Sequence, residues 1–265
     1  MRKTKNAGVE RRENGNVWLV LPIYMLIMAA GLFFTKYAMK VSYSDPGFLP
    51  KILPWIAVLA LFVLKVQYLQ RAEMAPARRS PVRYGLYLTA AVPIALLAVY
   101  TAFECRTELP VSLLLGPILV AIAEEGMYRG ILLPALLKKR TVNGAVVRCA
   151  VWFSLLHLLN LLGGQSLRAV GIQLVLTFMT GLYYAAVYMK TGRLSLMILQ
   201  HALWDFIAFS GVVERAPWTG IAVALLTAMQ LIFAVILLVS YRGKWEDGEF
   251  PPDEPAYTAD VPFNT

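Results

Sequence analysis

The chain has 265 residues, of which 58% are hydrophobic and only 15% charged, with a mean hydropathy of +0.60. A soluble domain carries about 25% charged residues, so this balance excludes an ordinary water-soluble fold. The net charge of +9 does not point to nucleic acid either, because the basic residues sit at the ends of apolar blocks and form no basic face on a folded domain.

Those blocks are about 20 residues long, the length that crosses a bilayer as a helix. The sequence therefore predicts an all-α polytopic membrane protein with about eight transmembrane helices, near 17–39, 52–70, 84–103, 110–137, 145–162, 169–189, 194–211 and 218–241. Three regions follow: a basic N-terminus over residues 1–16, a transmembrane domain over 17–241 whose in-span carboxylates and histidines fall within 110–211, and an acidic, proline-broken tail over 242–265 that reads as disordered. The first apolar block is too long for a signal-peptide core and lacks a small-residue cleavage site, so it is expected to stay as a span.

Loop charge sets the expected orientation. Arg2, Lys3, Lys5, Arg11 and Arg12 precede the first span. Arg71, Arg78, Arg79 and Arg83 follow the second, Lys138, Lys139, Arg140 and Arg148 lie around the fourth loop, and Lys190, Arg193, Arg242 and Lys244 complete that side. The opposite side has Lys36, Lys40, Lys51, Arg106, Arg168 and Arg215. The positive-inside rule places both termini in the cytoplasm. The two cysteines, Cys105 and Cys149, then fall near opposite faces, and no disulfide is expected.

Chemistry concentrates in three spans. Glu124, Glu125 and Arg129 interrupt an apolar run that extends from Val111 to Leu137. Ionised groups at that depth are costly and need partners or a function. Both histidines of the chain, His157 and His201, lie inside spans, and Asp205 follows His201 by four residues, on the same helical face. At ~1.5 Å per residue from the basic ends, all of these except the Glu125–Arg129 pair come out ~12–21 Å deep, which points to one shared intramembrane site. Glu125 and Arg129 are spaced to pair along one face. Glu124 is rotated by ~100° from Glu125 and is the carboxylate left free to act. A single histidine in a span is often only a helix–helix hydrogen-bonding group. A proton-coupled transporter, or a non-catalytic scaffold or immunity protein, remains an alternative use of the same residues. Only one Asp lies in any span, so an aspartyl dyad cannot form, and no serine-protease motif accompanies the histidines.

The ordered set, Glu124-Glu125 with Arg129, then Phe153 with His157, then His201 with Asp205, resembles the motifs of the CPBP family of CAAX proteases and bacteriocin-processing enzymes, also called Abi. The resemblance covers roughly residues 110–211. It differs at Asp205, where the Ras-converting branch typically has Asn. It implies an intramembrane peptidase acting on a peptide or protein substrate in the lipid bilayer, with no nucleic-acid partner, and a setting in a bacterial plasma membrane. It further implies Glu124 as the base that activates water, with His157 helping to hold that water. His201 and Asp205 would stabilise the oxyanion or position the peptide, and Glu125 and Arg129 would brace the site. Glu124, His157 and His201 also make a His₂Glu set that would suit zinc. The HExxH helix of zinc proteases is absent, and the reading favours a glutamate acting without metal. Water is expected to reach the buried site from the cytoplasm.

Overall fold

The structure is a computed structural model that describes residues 3–70, 84–106 and 109–241, with side chains for 17–69, 84–106 and 109–241. The Arg71–Arg83 cluster and the acidic tail lie outside the described residues. The described part is helical. α1 spans Lys3–Tyr37, α2 Phe48–Gln70, α3 Gly85–Glu104 and α4 Val111–Glu125. α4 continues without a break through a π-helical segment, Gly126–Leu132, into α5, Leu133–Leu137. α6 is Val142–Leu156, prolonged by a 3₁₀ turn at His157–Leu161; α7 is Leu167–Thr191, α8 Leu194–Phe209, α9 Val212–Arg215 and α10 Trp218–Tyr241.

Seven stretches among the described residues are long and apolar enough to cross a membrane, the fourth being Val111–Leu137 as one unit. The remaining expected span, 194–211, corresponds to α8, which is apolar but only 16 residues long. At 1.5 Å per residue it reaches ~24 Å, short of a ~30 Å hydrocarbon core. Boundaries are set by local chemistry. Thr141 Oγ1 accepts from the Gly144 amide and caps α6, and Ser166 does the same for α7 through Ala169. α7 stops at Gly192, whose φ of 63° closes the helix in a left-handed cap that glycine adopts without strain.

α4 packs between α2 and α8, α6 lies along α7, and α7 also contacts α10. α1 covers α2, and α3 covers α8. The outer faces carry leucine and isoleucine such as Leu26, Leu61, Leu96 and Ile221, all strongly exposed, as a lipid-facing surface requires. The molecule has two distinct ends. At one, the Tyr43 amide donates to the Gly163 carbonyl (2.8 Å), tying the α1–α2 loop to the end of the 3₁₀ turn, and Arg215 reaches Cys105. At the other, Tyr87 donates to Leu196 O, Asn143 to Leu238 O and Tyr241 to Ala186 O. The described loops that carry the denser basic charge, around Arg140 and Lys190, lie at this second end. Both cysteines are buried and free.

Candidate active site

Every residue from Ala123 to Pro134 is buried, so the polar motif of the fourth span is the centre of the bundle. The backbone there is unusual. The Leu133 amide donates to the Tyr128 carbonyl, five residues back, so the turn is wider than an α turn and redirects its side chains. Gln67 of α2 inserts beside it and donates from Nε2 to the Gly126 carbonyl at 2.8 Å. The approach needs glycine. A Cβ on Gly126 would stand 2.5 Å from Val63 Cγ1, and one on Gly130 would stand 2.1 Å from Gln67 Nε2.

The widened turn aims Arg129 at three helices at once. Its Nη1 donates to Glu125 Oε1 at 3.0 Å and its Nη2 to the Gly181 carbonyl of α7 at 3.0 Å. Its guanidinium lies 4.4 Å from the centre of the Phe153 ring and 5.5 Å from that of Tyr184. Glu125 and Arg129 are both wholly inaccessible. A buried charge at that position is tolerable only because carboxylate, carbonyl and aromatic faces surround it. Gly181 also lets α7 pack closely on α6, since a Cβ there would press on Phe153 and on the Ala150 backbone.

Glu125 Oε1 accepts a second bond. His201 Nδ1 donates to it at 2.7 Å. The His201 ring stacks on Tyr184, 5.7 Å between centres and 19° between planes. Its Nε2 faces the other carboxylates, 3.4 Å from Asp205 Oδ2 and 3.8 Å from Glu124 Oε2. Among the described residues that 3.8 Å approach is the only ionic or hydrogen-bonding contact of Glu124. Glu125 is therefore anchored on both sides, and Glu124 is not.

His157 closes α6. Its Nδ1 lies 3.0 Å from the Phe153 carbonyl, and since a carbonyl can only accept, Nδ1 carries the proton. The neutral ring then has its lone pair on Nε2. Phe153 stands at the hub of the cluster, edge to face with His157, His201 and Tyr128 at 5.4, 6.0 and 5.2 Å.

The structure thus brings Glu124, Glu125, Arg129, His201 and Asp205 into one connected group, with His157 joined to it through Phe153. Three participants were not singled out from the sequence. Gln67 and Gly126 belong to a close helix contact, and the sequence signal for it is the Gly126–Gly130 spacing. Tyr184 has a signal only in the Tyr183-Tyr184 pair inside span six. Among the described residues no three His, Cys, Asp or Glu side chains gather as a metal-holding group; Nδ1 of His201 and of His157 are taken by Glu125 and by the Phe153 carbonyl, so only their Nε2 atoms could serve as ligands.

Residues 106–207 match the family model described as Type II CAAX prenyl endopeptidase Rce1-like. No curated protein and no solved structure gives a significant match. The matched segment holds Glu124, Glu125, Arg129, Phe153, His157, His201 and Asp205 together, and over it the chain is similar to a family of CAAX-type membrane peptidases.

Proposed function

We propose that the protein is an intramembrane endopeptidase in which Glu124 activates water. One observation carries the reading. Of two adjacent buried carboxylates, one is locked to Arg129 and His201 while the other is unanchored beside His201 Nε2. A carboxylate without a fixed partner is free to exchange a proton, which a general base must do.

The roles follow from the donor and acceptor atoms. Water sits between Glu124 and the Nε2 lone pair of His157. Glu124 takes one of its protons as the oxygen attacks the peptide carbonyl carbon. The carbonyl oxygen becomes an oxyanion, which His201 Nε2, when it carries a proton shared with Asp205, stabilises by donation. The carbon–nitrogen bond then breaks, and Glu124 returns its proton to the leaving amine. Glu125, Arg129 and Tyr184 fix the His201 ring so that this donation needs no reorganisation. No step passes through a metal.

The test is cleavage of candidate membrane peptides by purified protein in detergent or vesicles, with products identified by mass. Glu124→Gln serves as control. Equal cleavage by the variant would end the assignment of Glu124 as base.

A further inference from the structure

Glu124 lies midway along the fourth span, thirteen residues and ~20 Å from both Val111 and Leu137, but the packing on its two sides differs. Toward Leu137 the segment is packed solid: Tyr128, Arg129, Leu132 and Leu133 are wholly buried, and Leu136 nearly so. Toward the other end two of its partners come close to the ends of their helices. His157 is four residues from Leu161, where the 3₁₀ turn stops, and Asp205 is four from Phe209, where α8 stops. Each is ~6–8 Å of helix. Both are partly accessible, in contrast to Glu125 and Arg129.

Polar groups continue along that short route. Asn160 Nδ2 donates to Gln173 Oε1 at 2.9 Å, joining the 3₁₀ turn to the first turns of α7. Tyr43 of the α1–α2 loop is held by its amide on Gly163 and by its ring against Phe48, 4.7 Å between centres and 40° between planes. Burial pushes the Tyr43 phenol up to about 12, with Gln173 working against the rise and the charges of Asp205 and Glu124 adding to it. Lys36, which packs on Gly164 and contacts Ser42, completes this rim.

We propose that the site is entered past Tyr43, Asn160 and Gln173, from the end of the molecule opposite the basic loops. With the orientation that loop charge gives, this is the non-cytoplasmic face, in place of the cytoplasmic water path expected from the sequence. The substrate is then a peptide segment presented outside the cytoplasm, such as an exported peptide or the outer flank of a membrane protein. A prenylated cytosolic tail would arrive at the packed end. The substrate part of this inference rests on the peptidase reading; the entrance does not.

Membrane-impermeant maleimide tests the entrance without reference to cleavage. Tyr43→Cys and Gln173→Cys, at the partly accessible positions of this route, are expected to be labelled in right-side-out vesicles and protected in inverted ones. Arg140→Cys should behave in the reverse way, and the wild-type chain, whose two cysteines are buried, should stay unlabelled from both sides. Labelling of the entrance positions only in inverted vesicles, or in neither kind, overturns the proposal, as does labelling of Arg140→Cys from outside. For the substrate, one reporter segment is placed on either flank of a carrier span. Cleavage confined to the non-cytoplasmic flank is expected, and cleavage confined to the cytoplasmic flank overturns the assignment. If neither flank is cut while the labelling pattern holds, the peptidase reading and its substrate fail, and the entrance stands.

Discussion

His201 and Glu125 are 76 residues apart in sequence and 2.7 Å apart in space. The bond makes Glu125 the acceptor for two side chains, because Arg129 donates to the same oxygen. Glu125→Gln should therefore cost stability as well as activity, on the order of 3–5 kcal/mol for a broken buried pair. Glu124→Gln should melt near the wild-type temperature in detergent and yet be inactive. Adding Arg129→Met to Glu125→Gln should restore stability only in part, since His201 Nδ1 still lacks its carboxylate acceptor. Thermal melts of the three variants decide the matter. Equal destabilisation by the two single substitutions would mean that both carboxylates are structural.

Gln67 makes a separate prediction. Its amide satisfies the Gly126 carbonyl at the widened turn, and a buried acceptor left unpaired costs roughly 1–3 kcal/mol. Gln67→Met keeps volume and removes the donor. It should lower the melting temperature and reduce kcat more than it changes KM, because it disturbs the backbone that carries Glu124 and does not touch the substrate. Gly130→Ala pushes the same amide aside and should give the same phenotype. The double variant should be little worse than either single one. Fully additive losses would show that the two act on different features.

For His157 the bond to Phe153 O fixes the tautomer. His157→Ala should cut the cleavage rate roughly 10²- to 10⁴-fold, as loss of a group that takes part in proton transfer does. The melting temperature should change little, because the bond is local to one helix turn. A rate within twofold of wild type would remove His157 from the mechanism.

The proposed mechanism, with Glu124 as the base, predicts independence from metal. Cleavage should survive prolonged treatment with strong chelators, and elemental analysis of active protein should find no stoichiometric zinc. Parallel loss of zinc and activity, with both restored on adding zinc, would return Glu124, His157 and His201 to the His₂Glu reading.

The helices were legible because lipid imposes one rule along the whole chain. Apolar blocks of the right length stop at Lys, Arg, Pro or Gly, and seven of the eight expected spans stand as such. Only α8 falls short, since its apolar run ends at Phe209. The pairing of Glu125 with Arg129 was legible because α and π turns both bring residues four apart onto neighbouring positions. The bond from Glu125 to His201 was not. It depends on how α4 and α8 cross, which helix periodicity alone does not determine. The widened turn was hidden for a similar reason: it exists because Gln67, some sixty residues earlier, supplies a donor where the α-helical pattern has lapsed. Tyr43 is brought to the end of the 3₁₀ turn by loop closure, which leaves no period in the sequence.

The bond from Arg129 to the Gly181 carbonyl spans 52 residues and bears on how the protein is made. At ~5–20 residues per second, the ribosome delivers Gly181 about 3–10 s after Arg129. During that interval the guanidinium has Glu125 beside it, but its α7 acceptor and the Tyr184 face do not yet exist. A charged group in that state is costly in hydrocarbon. Chains arrested before α7 should therefore be held at the insertion machinery or degraded quickly, and Arg129→Met should lengthen their lifetime in a pulse-chase experiment. Unchanged lifetimes would show that Glu125 alone shields the charge. The side chain that locks the finished site together makes the fourth span, while it waits for the sixth, the most vulnerable stage of biogenesis.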